Sequence, residues 1–284
     1  MELINLFMLQ VCPAAGCVLA SFMFCAPLND LHHCLQRGSL GTLNPVPWAF
    51  AVGNTFGWLL YGFILKDVFV LAANLPGLFI NMWLCYGAAK LEYYGRRRQE
   101  QGIALDTARS SVDNDSTTIA HATKKEYDFQ LSMTPLEQVF FAISISWATL
   151  GSVTGWFMEQ QDHAATIIGI TANCNLVFFY MAPLNTIWNV MKTQNSALIH
   201  RPTMTMNTLN AAFWVLYGTA RRDRIILFPN AIGMLLGIIQ IFVCVWYPHM
   251  PVMDNNNNNG DHDAYKRGHA INYDLMDEQP SRSS

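Results

Sequence analysis

The chain has 284 residues, of which 52% are hydrophobic and only 13% are charged. Because a soluble domain carries about 25% charged residues, this composition leaves too little polar surface for a soluble enzyme of this size. The formal net charge of −3 also lacks the basic excess that nucleic-acid binding requires. The composition therefore favours a membrane protein.

The apolar residues fall into segments long enough to cross a bilayer, which takes about 20 residues in a helix. In chain order these segments are 6–28, 45–65, 68–89, 136–158, 164–190, 202–220 and 225–247. The sixth is the weakest, being rich in Thr, Asn and Met. The first follows no basic region and is too long for a signal peptide core, so it is expected to stay as a span. We predict an all-α, multi-pass membrane protein with seven transmembrane helices.

The basic residues between these segments predict the orientation in the membrane. In a seven-span protein one side carries Arg37, the long loop after the third span, Lys192, Arg201 and the C-terminal tail. The opposite side carries Lys66 and the Arg221–Arg224 cluster, which opposes the bias. The N-terminus is therefore expected outside and the C-terminus in the cytoplasm.

The seven cysteines are odd in number and form no C-x-x-C pair, so they are interpreted as packing thiols within the apolar segments. The pair His32-His33 lacks further ligands for a metal. The sequence contains no catalytic pair and no phosphate-binding loop. We expect neither a cofactor nor a metal, and no enzymatic activity.

An internal repeat links residues that lie 156 positions apart. Ala26-Pro27-Leu28-Asn29 matches Ala182-Pro183-Leu184-Asn185. The match continues without a gap through Asn54/Asn210, Trp58/Trp214, Tyr61/Tyr217, Asp67/Asp223, Asn74/Asn230 and Gly77/Gly233. Such an ordered series indicates that spans one to three and spans five to seven are copies of one three-helix unit.

The single span between the copies keeps both in the same orientation, so the predicted architecture is 3+1+3 with parallel repeats. The predicted organisation is a first repeat at 1–91, a partly disordered cytoplasmic loop at 92–134 and a linker helix at 135–159. The second repeat follows at 160–248, and a disordered cytoplasmic tail at 249–284. Scaffold duplication would explain the apolar matches but not the repeated Asn, Trp, Tyr, Asp and Pro.

This ordered set resembles the SWEET family of sugar transporters. The resemblance rests on the A-P-L-N element, on W-x-x-Y-G near the end of each second helix, and on Asn74 and Pro229-Asn230 in the third helices. It implies a seven-helix uniporter that lets sugars diffuse in both directions by alternating access. It also implies a homo-oligomer, and a plasma-membrane location is expected, with an internal membrane as the alternative.

The repeated amides and indoles are the candidate substrate site. Asn74 and Asn230 would face each other across the axis between the repeats and bind sugar hydroxyls; the alternative is hydrogen bonding between helices. Trp58 and Trp214 would pack on the sugar ring; the alternative is an aromatic belt at the membrane interface.

The resemblance implies an outer gate in which Tyr61 bonds to Asp223 and Tyr217 bonds to Asp67. Local neutralisation of Asp223 by the neighbouring arginines is the alternative. It also implies hinge prolines near the inner end, Pro27 and Pro183 in the first helices and Pro47 and Pro202 in the second. Pro202 aligns one residue away from Pro47, and both also fit ordinary helix starts.

The substrate is expected to be a glucose-like monosaccharide rather than sucrose, because Met23 and Phe179, one turn before the first-helix prolines, would crowd the site together with the two indoles. No ionisable residue lies deep in the repeat spans, which argues against ion coupling. Two alternatives are a proline-loop-type carrier of amino acids or another small metabolite, and a seven-helix receptor. The duplication opposes the receptor, and the pairs Pro27-Leu28 and Pro183-Leu184 replace the Pro-Gln pairs of the carrier group.

Overall fold

The computed structural model describes residues 2–110, 133–157 and 161–250, which contain seven long helices. They are α1 Glu2–Arg37, α2 Val46–Ile64, α3 Val68–Ser110, α4 Pro135–Phe157, α5 Gln161–Thr193, α6 Arg201–Arg221 and α7 Arg224–Trp246. A π-helical turn, Phe7–Val11, lies within α1, and a 3₁₀ turn, Ser196–Leu198, precedes α6. The all-α, seven-helix architecture is confirmed for this part of the chain.

The apolar composition of these helices suits a bilayer. Among the described residues, five are long and apolar enough to cross a membrane, namely α1, α3, α4, α5 and α7. The other two, α2 and α6, dilute their apolar residues with Asn, Thr and Gly. These are the second helices of the two predicted repeats.

The helices of each repeat pack in the same order. In the first repeat α3 packs against both α1 and α2, and in the second α7 packs against both α5 and α6. The third helix of each copy therefore lies between the other two. The repeats meet through α1 with α6 and through α2 with α5, which is the pairing that a twofold relation between parallel copies produces.

The linker helix α4 docks on the first repeat, mainly against α2. Its Trp147 ring lies over Gly57 of α2, where an added Cβ would come within 2.6 Å of the ring atom Cζ2. Gly53, one turn earlier, would place a Cβ 2.9 Å from Nε1 of the same ring. Two glycines on one face of α2 thus make the groove that holds α4.

Aspartates begin the third helices at equivalent places. Asp67 Oδ1 accepts hydrogen bonds from the backbone N–H groups of Phe69 and Val70, both at 3.1 Å. Asp223 Oδ1 accepts from Ile225 at 2.9 Å and Ile226 at 3.1 Å. These caps satisfy N–H groups that a helix start leaves unbonded, and they fix both carboxylates at one end of the bundle.

The third helix of the first repeat continues into the segment predicted as a loop. The third helix does not end at residue 91 but continues to Ser110. The segment after residue 91 is polar, which marks the exit from the membrane. It is nevertheless rich in Leu, Glu, Gln and Arg, which favour a helix in water as well. Residues 111–132 of the predicted loop and 251–284 of the predicted tail lie outside the described residues. The start of the tail is held at the α5–α6 connection, where Met250 N–H donates to Asn195 Oδ1 at 3.0 Å.

Candidate functional site

A cavity of about 470 Å³ lies between the two repeats. Its size falls within the range of small-molecule sites. All six predicted substrate residues line it, namely Asn74, Asn230, Trp58, Trp214, Met23 and Phe179. The cavity therefore takes equivalent residues from both copies, as the 156-residue offset predicts for a site on the axis.

Each of the two predicted amides is bonded within its own helix. Asn74 Nδ2 donates to the Val70 carbonyl at 2.9 Å, and Asn230 Nδ2 donates to the Ile226 carbonyl at 2.8 Å. This bond to the preceding turn uses one of the two N–H groups and orients the amide. The second N–H and the carbonyl oxygen of each amide are left for a ligand in the cavity.

The two tryptophans lie inside the bundle and not in a belt facing lipid. Trp58 and Trp214 are 8% and 7% exposed. Their rings meet those of Tyr61 and Tyr217 edge to face, with centroid separations of 5.6 and 5.7 Å. The approach of Trp214 to α1 depends on Gly16, because a Cβ there would lie 2.8 Å from the indole Nε1. Each indole thus lines the cavity and also contacts the tyrosine that follows it by three residues in the same helix.

Three further asparagines line the cavity and were not among the predicted site residues. They are Asn54 of α2 and Asn207 and Asn210 of α6. Within the described residues the buried Oδ1 atoms of Asn54 and Asn210 have no hydrogen-bond partner, so they offer acceptors to a hydroxylated ligand. The signal was present in the sequence, because Asn54 and Asn210 match at the repeat offset, four residues before each Trp.

Two tyrosine–aspartate hydrogen bonds join the repeats at the end of the bundle that carries the α2–α3 and α6–α7 connections, here called the gate end. Tyr61 Oη donates to Asp223 Oδ2 at 2.7 Å, and Tyr217 Oη donates to Asp67 Oδ2 at 2.6 Å. Both bonds join one repeat to the other. Since the Oδ1 atoms already cap α3 and α7, the carboxylates are held in place to receive the tyrosines.

The arginines beside Asp223 do not replace its tyrosine partner. Arg221 Nη2 lies 3.9 Å from Asp67 Oδ2, across the interface between the repeats. The first repeat has Leu65 at the position equivalent to Arg221. The gate end is therefore asymmetric, with a cation beside the Asp67–Tyr217 bond.

The four predicted hinge prolines occupy two kinds of position. Pro27 lies inside α1 and Pro183 inside α5, where Pro183 also lines the cavity. Pro47 and Pro202 are the second residues of α2 and α6. A proline in a helix interior removes a backbone hydrogen bond, whereas one in the first turn does not. Pro27 and Pro183 therefore interrupt the hydrogen bonding of their helices, whereas Pro47 and Pro202 do not.

A second cavity of about 410 Å³ continues from the first, away from the gate end. It shares Met23, Phe179, Asn207 and Asn230 with the central cavity. It runs between α5, α6 and α7 to the connection at residues 198–200. We call it the vestibule. The central cavity thus continues into the vestibule on the side away from the gate end.

Comparisons with known proteins agree with this arrangement. The family model described as "Sugar efflux transporter for intercellular exchange" matches residues 11–90 and 166–251, once in each repeat. The bidirectional sugar transporter SWEET5 of Arabidopsis thaliana is 27% identical over 255 residues, which cover 89% of this chain and 90% of the relative. The human sugar transporter SWEET1 is 23% identical, with 80% of this chain and 85% of the relative covered.

The solved structure of a eukaryotic SWEET transporter superimposes with a TM-score of 0.64 at 18% identity. The superposition covers 86% of this chain and 98% of the solved chain, so nearly the whole fold of the solved transporter is present in this chain. The family consists of transporters and not of enzymes. Because the family model matches more than half of the chain and falls on both repeats, this multi-pass membrane protein belongs to the SWEET family of sugar transporters.

Proposed function

We propose that this chain is a sugar uniporter that lets a glucose-like monosaccharide diffuse in both directions by alternating access. The observation that carries the proposal is the central cavity, lined by paired amides and paired indoles and continued by the vestibule, together with the two Tyr–Asp bonds that join the repeats at the gate end. The amides bind hydroxyls, and the indoles pack on the C–H face of the ring. Relatives named as bidirectional sugar transporters support the direction of transport.

A monosaccharide fits the crowding of the cavity. Met23 and Phe179 line it from α1 and α5, together with the indoles of Trp58 and Trp214. These four side chains restrict the space around the amides, so a single ring fits better than two linked rings. We expect glucose to be transported faster than sucrose.

Transport is proposed to be uncoupled from ions. Among the described residues, none of those lining the central cavity is ionisable. A proton- or ion-coupled carrier generally needs such a group within the membrane at its substrate site, and His200 lines the vestibule only at the α5–α6 connection. The sugar gradient therefore drives the flux, and the internal concentration should not exceed the external one.

The gate end is proposed to face the outside of the cell, with the plasma membrane as the location. The opposite end of α3 carries Lys90 and Arg96–Arg98, and a basic excess marks the cytoplasmic side. With this orientation the vestibule opens toward the cytoplasm, and the proposed state is inward-facing.

Uptake in cells that lack hexose carriers tests the proposal. Cells expressing the chain are given labelled glucose, galactose, fructose and sucrose, with and without a protonophore, and the Asn74→Ala/Asn230→Ala variant serves as the transport-dead control. We expect glucose to equilibrate and the protonophore to have no effect. Amino-acid flux that depends on the pH gradient, without sugar flux, would instead establish the proline-loop-type carrier.

A further inference from the structure

The two repeats differ at the end of the bundle opposite the gate. In the second repeat Met204 and Gln240 line the vestibule. The equivalent residues of the first repeat are Trp48 and Leu84, which are 8% and 0% exposed within an apolar cluster. Leu84 thus fills a position whose counterpart Gln240 borders open space, whereas Met204 is as buried as Trp48, at 8% exposed.

The side-chain amide of Gln240 does not contribute a hydrogen bond to the described part of the structure. It lies in α7 among apolar residues, ten positions after Asn230, or about 15 Å along the helix axis. Within the part of the chain that the structure describes, its side chain makes no hydrogen bond. An amide at membrane depth without a partner is costly, and this one lines a cavity.

A second amide connects Gln240 to the central site. Asn207 of α6 lines both the central cavity and the vestibule, and its equivalent in the first repeat is Ala51. The second repeat therefore presents amides along the whole path, from Asn230 through Asn207 to Gln240. A ligand with hydroxyls on several sides can exchange one set of hydrogen bonds for the next as it moves.

An aromatic ring borders the same space. In the first repeat the ring of Phe24 packs directly on Gly77 of α3, where an added Cβ would clash with it. In the second repeat the equivalent ring, Tyr180, stays 3.8 Å from the Cβ position of Gly233. Its hydroxyl donates to the Pro229 carbonyl at 2.6 Å, which fixes the ring at the wall of the vestibule.

We propose that the vestibule is a second carbohydrate-binding subsite, present in the second repeat alone. Gln240 and Asn207 bind hydroxyls there, and the Tyr180 ring packs against the sugar ring. The subsite rests on the proposed sugar transport and adds to it a binding step between the central cavity and the cytoplasmic end. A sugar on this path binds twice; the two sites share Asn207, and Gln240 and Tyr180 belong to the vestibule alone.

Saturation-transfer NMR with D-glucose tests the subsite on the purified full-length chain in lipid nanodiscs. A variant with Asn54→Ala, Asn74→Ala and Asn210→Ala removes the amides that line the central cavity but not the vestibule, so the glucose signal that remains should come from the vestibule. Adding Gln240→Leu or Asn207→Ala to that variant, each the residue type found in the first repeat, should reduce the remaining signal at least about fivefold, as expected for the loss of one hydrogen bond.

Thr171→Val is the matched control, because it removes an exposed polar group of α5 that lines neither cavity. Gel filtration and thermal melting establish that every variant is folded. Equal glucose signals with and without Gln240→Leu and Asn207→Ala would overturn the subsite while leaving transport intact. A central variant that has already lost the entire signal would overturn it too. A wild-type chain that neither binds nor transports sugars would overturn the proposed function together with the subsite.

Discussion

A proline and an asparagine in the second repeat form a pair that compensates for a lost backbone bond. Pro229 lies inside α7 and cannot donate to the carbonyl of Ile225. Asn173 of α5 donates to that carbonyl instead, with Nδ2 at 3.0 Å. In the first repeat Cys17 takes the equivalent place, with Sγ 3.2 Å from the Phe69 carbonyl. The stronger donor therefore stands in the copy whose helix has lost its own.

The central amides give the first prediction at the residue scale. Asn74→Ala and Asn230→Ala each remove hydrogen bonds to sugar worth about 1 kcal/mol apiece, so glucose flux should fall about tenfold or more when two are lost. Labelled-glucose uptake, normalised to surface expression, measures this.

Asn81→Ala is the matched control for these variants. Asn81 lies in the same helix as Asn74 and donates to the carbonyl four residues earlier, Gly77, at 2.8 Å, but it lines neither cavity. Equal loss of flux in Asn81→Ala and Asn74→Ala would mean that the amides support the helix and not the substrate.

The gate tyrosines give the second prediction. Tyr61→Phe removes a hydroxyl that bonds to a carboxylate, an interaction of about 1.5–3 kcal/mol, and should shift the equilibrium toward the outward-open state about tenfold or more. An Ala73→Cys probe in the cavity wall, labelled from outside by an impermeant thiol reagent, should react correspondingly faster.

Symmetry provides an internal check on the gate. Tyr217→Phe breaks the matching bond to Asp67 and should act in the same direction. Tyr86→Phe, on an exposed ring of α3, should leave the labelling rate at the wild-type value. If Tyr61→Phe and Tyr217→Phe also leave it unchanged, these bonds do not hold the gate end closed.

At the scale of single helices, the docking of α4 depends on the absence of side chains on α2. Gly57→Leu would push a side chain into the Trp147 ring, and overpacking of this kind costs about 1–3 kcal/mol. We expect a lower melting temperature of the purified protein in detergent.

Two variants make this measurement specific. Gly155→Leu places the same side chain on α4, where nothing lies within 4 Å of the added Cβ, and should melt like the wild type. Trp147→Ala combined with Gly57→Leu should recover part of the loss. A double variant that melts no higher than Gly57→Leu alone would show that the clash is not the cause.

The hinge prolines differ by their position in the helices. Pro27→Ala and Pro183→Ala restore backbone bonds in the interiors of α1 and α5 and should slow the change between states. The turnover rate for glucose should then fall, with little change in the half-saturating concentration. Pro47→Ala and Pro202→Ala alter only first turns and should transport at nearly the wild-type rate. The opposite ranking would assign the hinges to α2 and α6.

At the scale of the whole molecule, α4 belongs physically to the first repeat. It packs mainly on α2, and its contact with α5 is slight. The repeats are held together by α1 with α6 and α2 with α5, including a bond from Asn175 Nδ2 to the Phe50 carbonyl at 3.0 Å.

We therefore expect a chain cut between α4 and α5 to work when its two parts, 1–157 and 161–284, are produced together. Glucose uptake should be detectable but reduced, since the parts lose the effective concentration that a covalent link provides. A cut at 133, which separates α4 from the first repeat, is the comparison. Equal uptake from both pairs would show that α4 has no preferred partner.

The sequence by itself determined the number of long helices, the repeat and the six cavity residues predicted from it. The hydropathy of a segment measures how favourably it transfers into lipid, and this does not depend on how the helices pack. A duplication places equivalent residues about a common axis, which can also be inferred without knowing the packing. The extension of α3 to Ser110 escaped prediction, because a change to polar residues marks the membrane surface and not the end of a helix.

Only the tertiary structure decided which side of each helix faces the substrate path. A span that is apolar all round carries no pattern that distinguishes lipid from a neighbouring helix, and Gln240, which aligns with Leu84, has no repeat partner that would mark it as facing a cavity. The position of Gln240 follows from the packing of α7 between α5 and α6. The vestibule exists because side chains of the second repeat leave open a space that side chains of the first repeat fill. This difference is a property of the packed bundle.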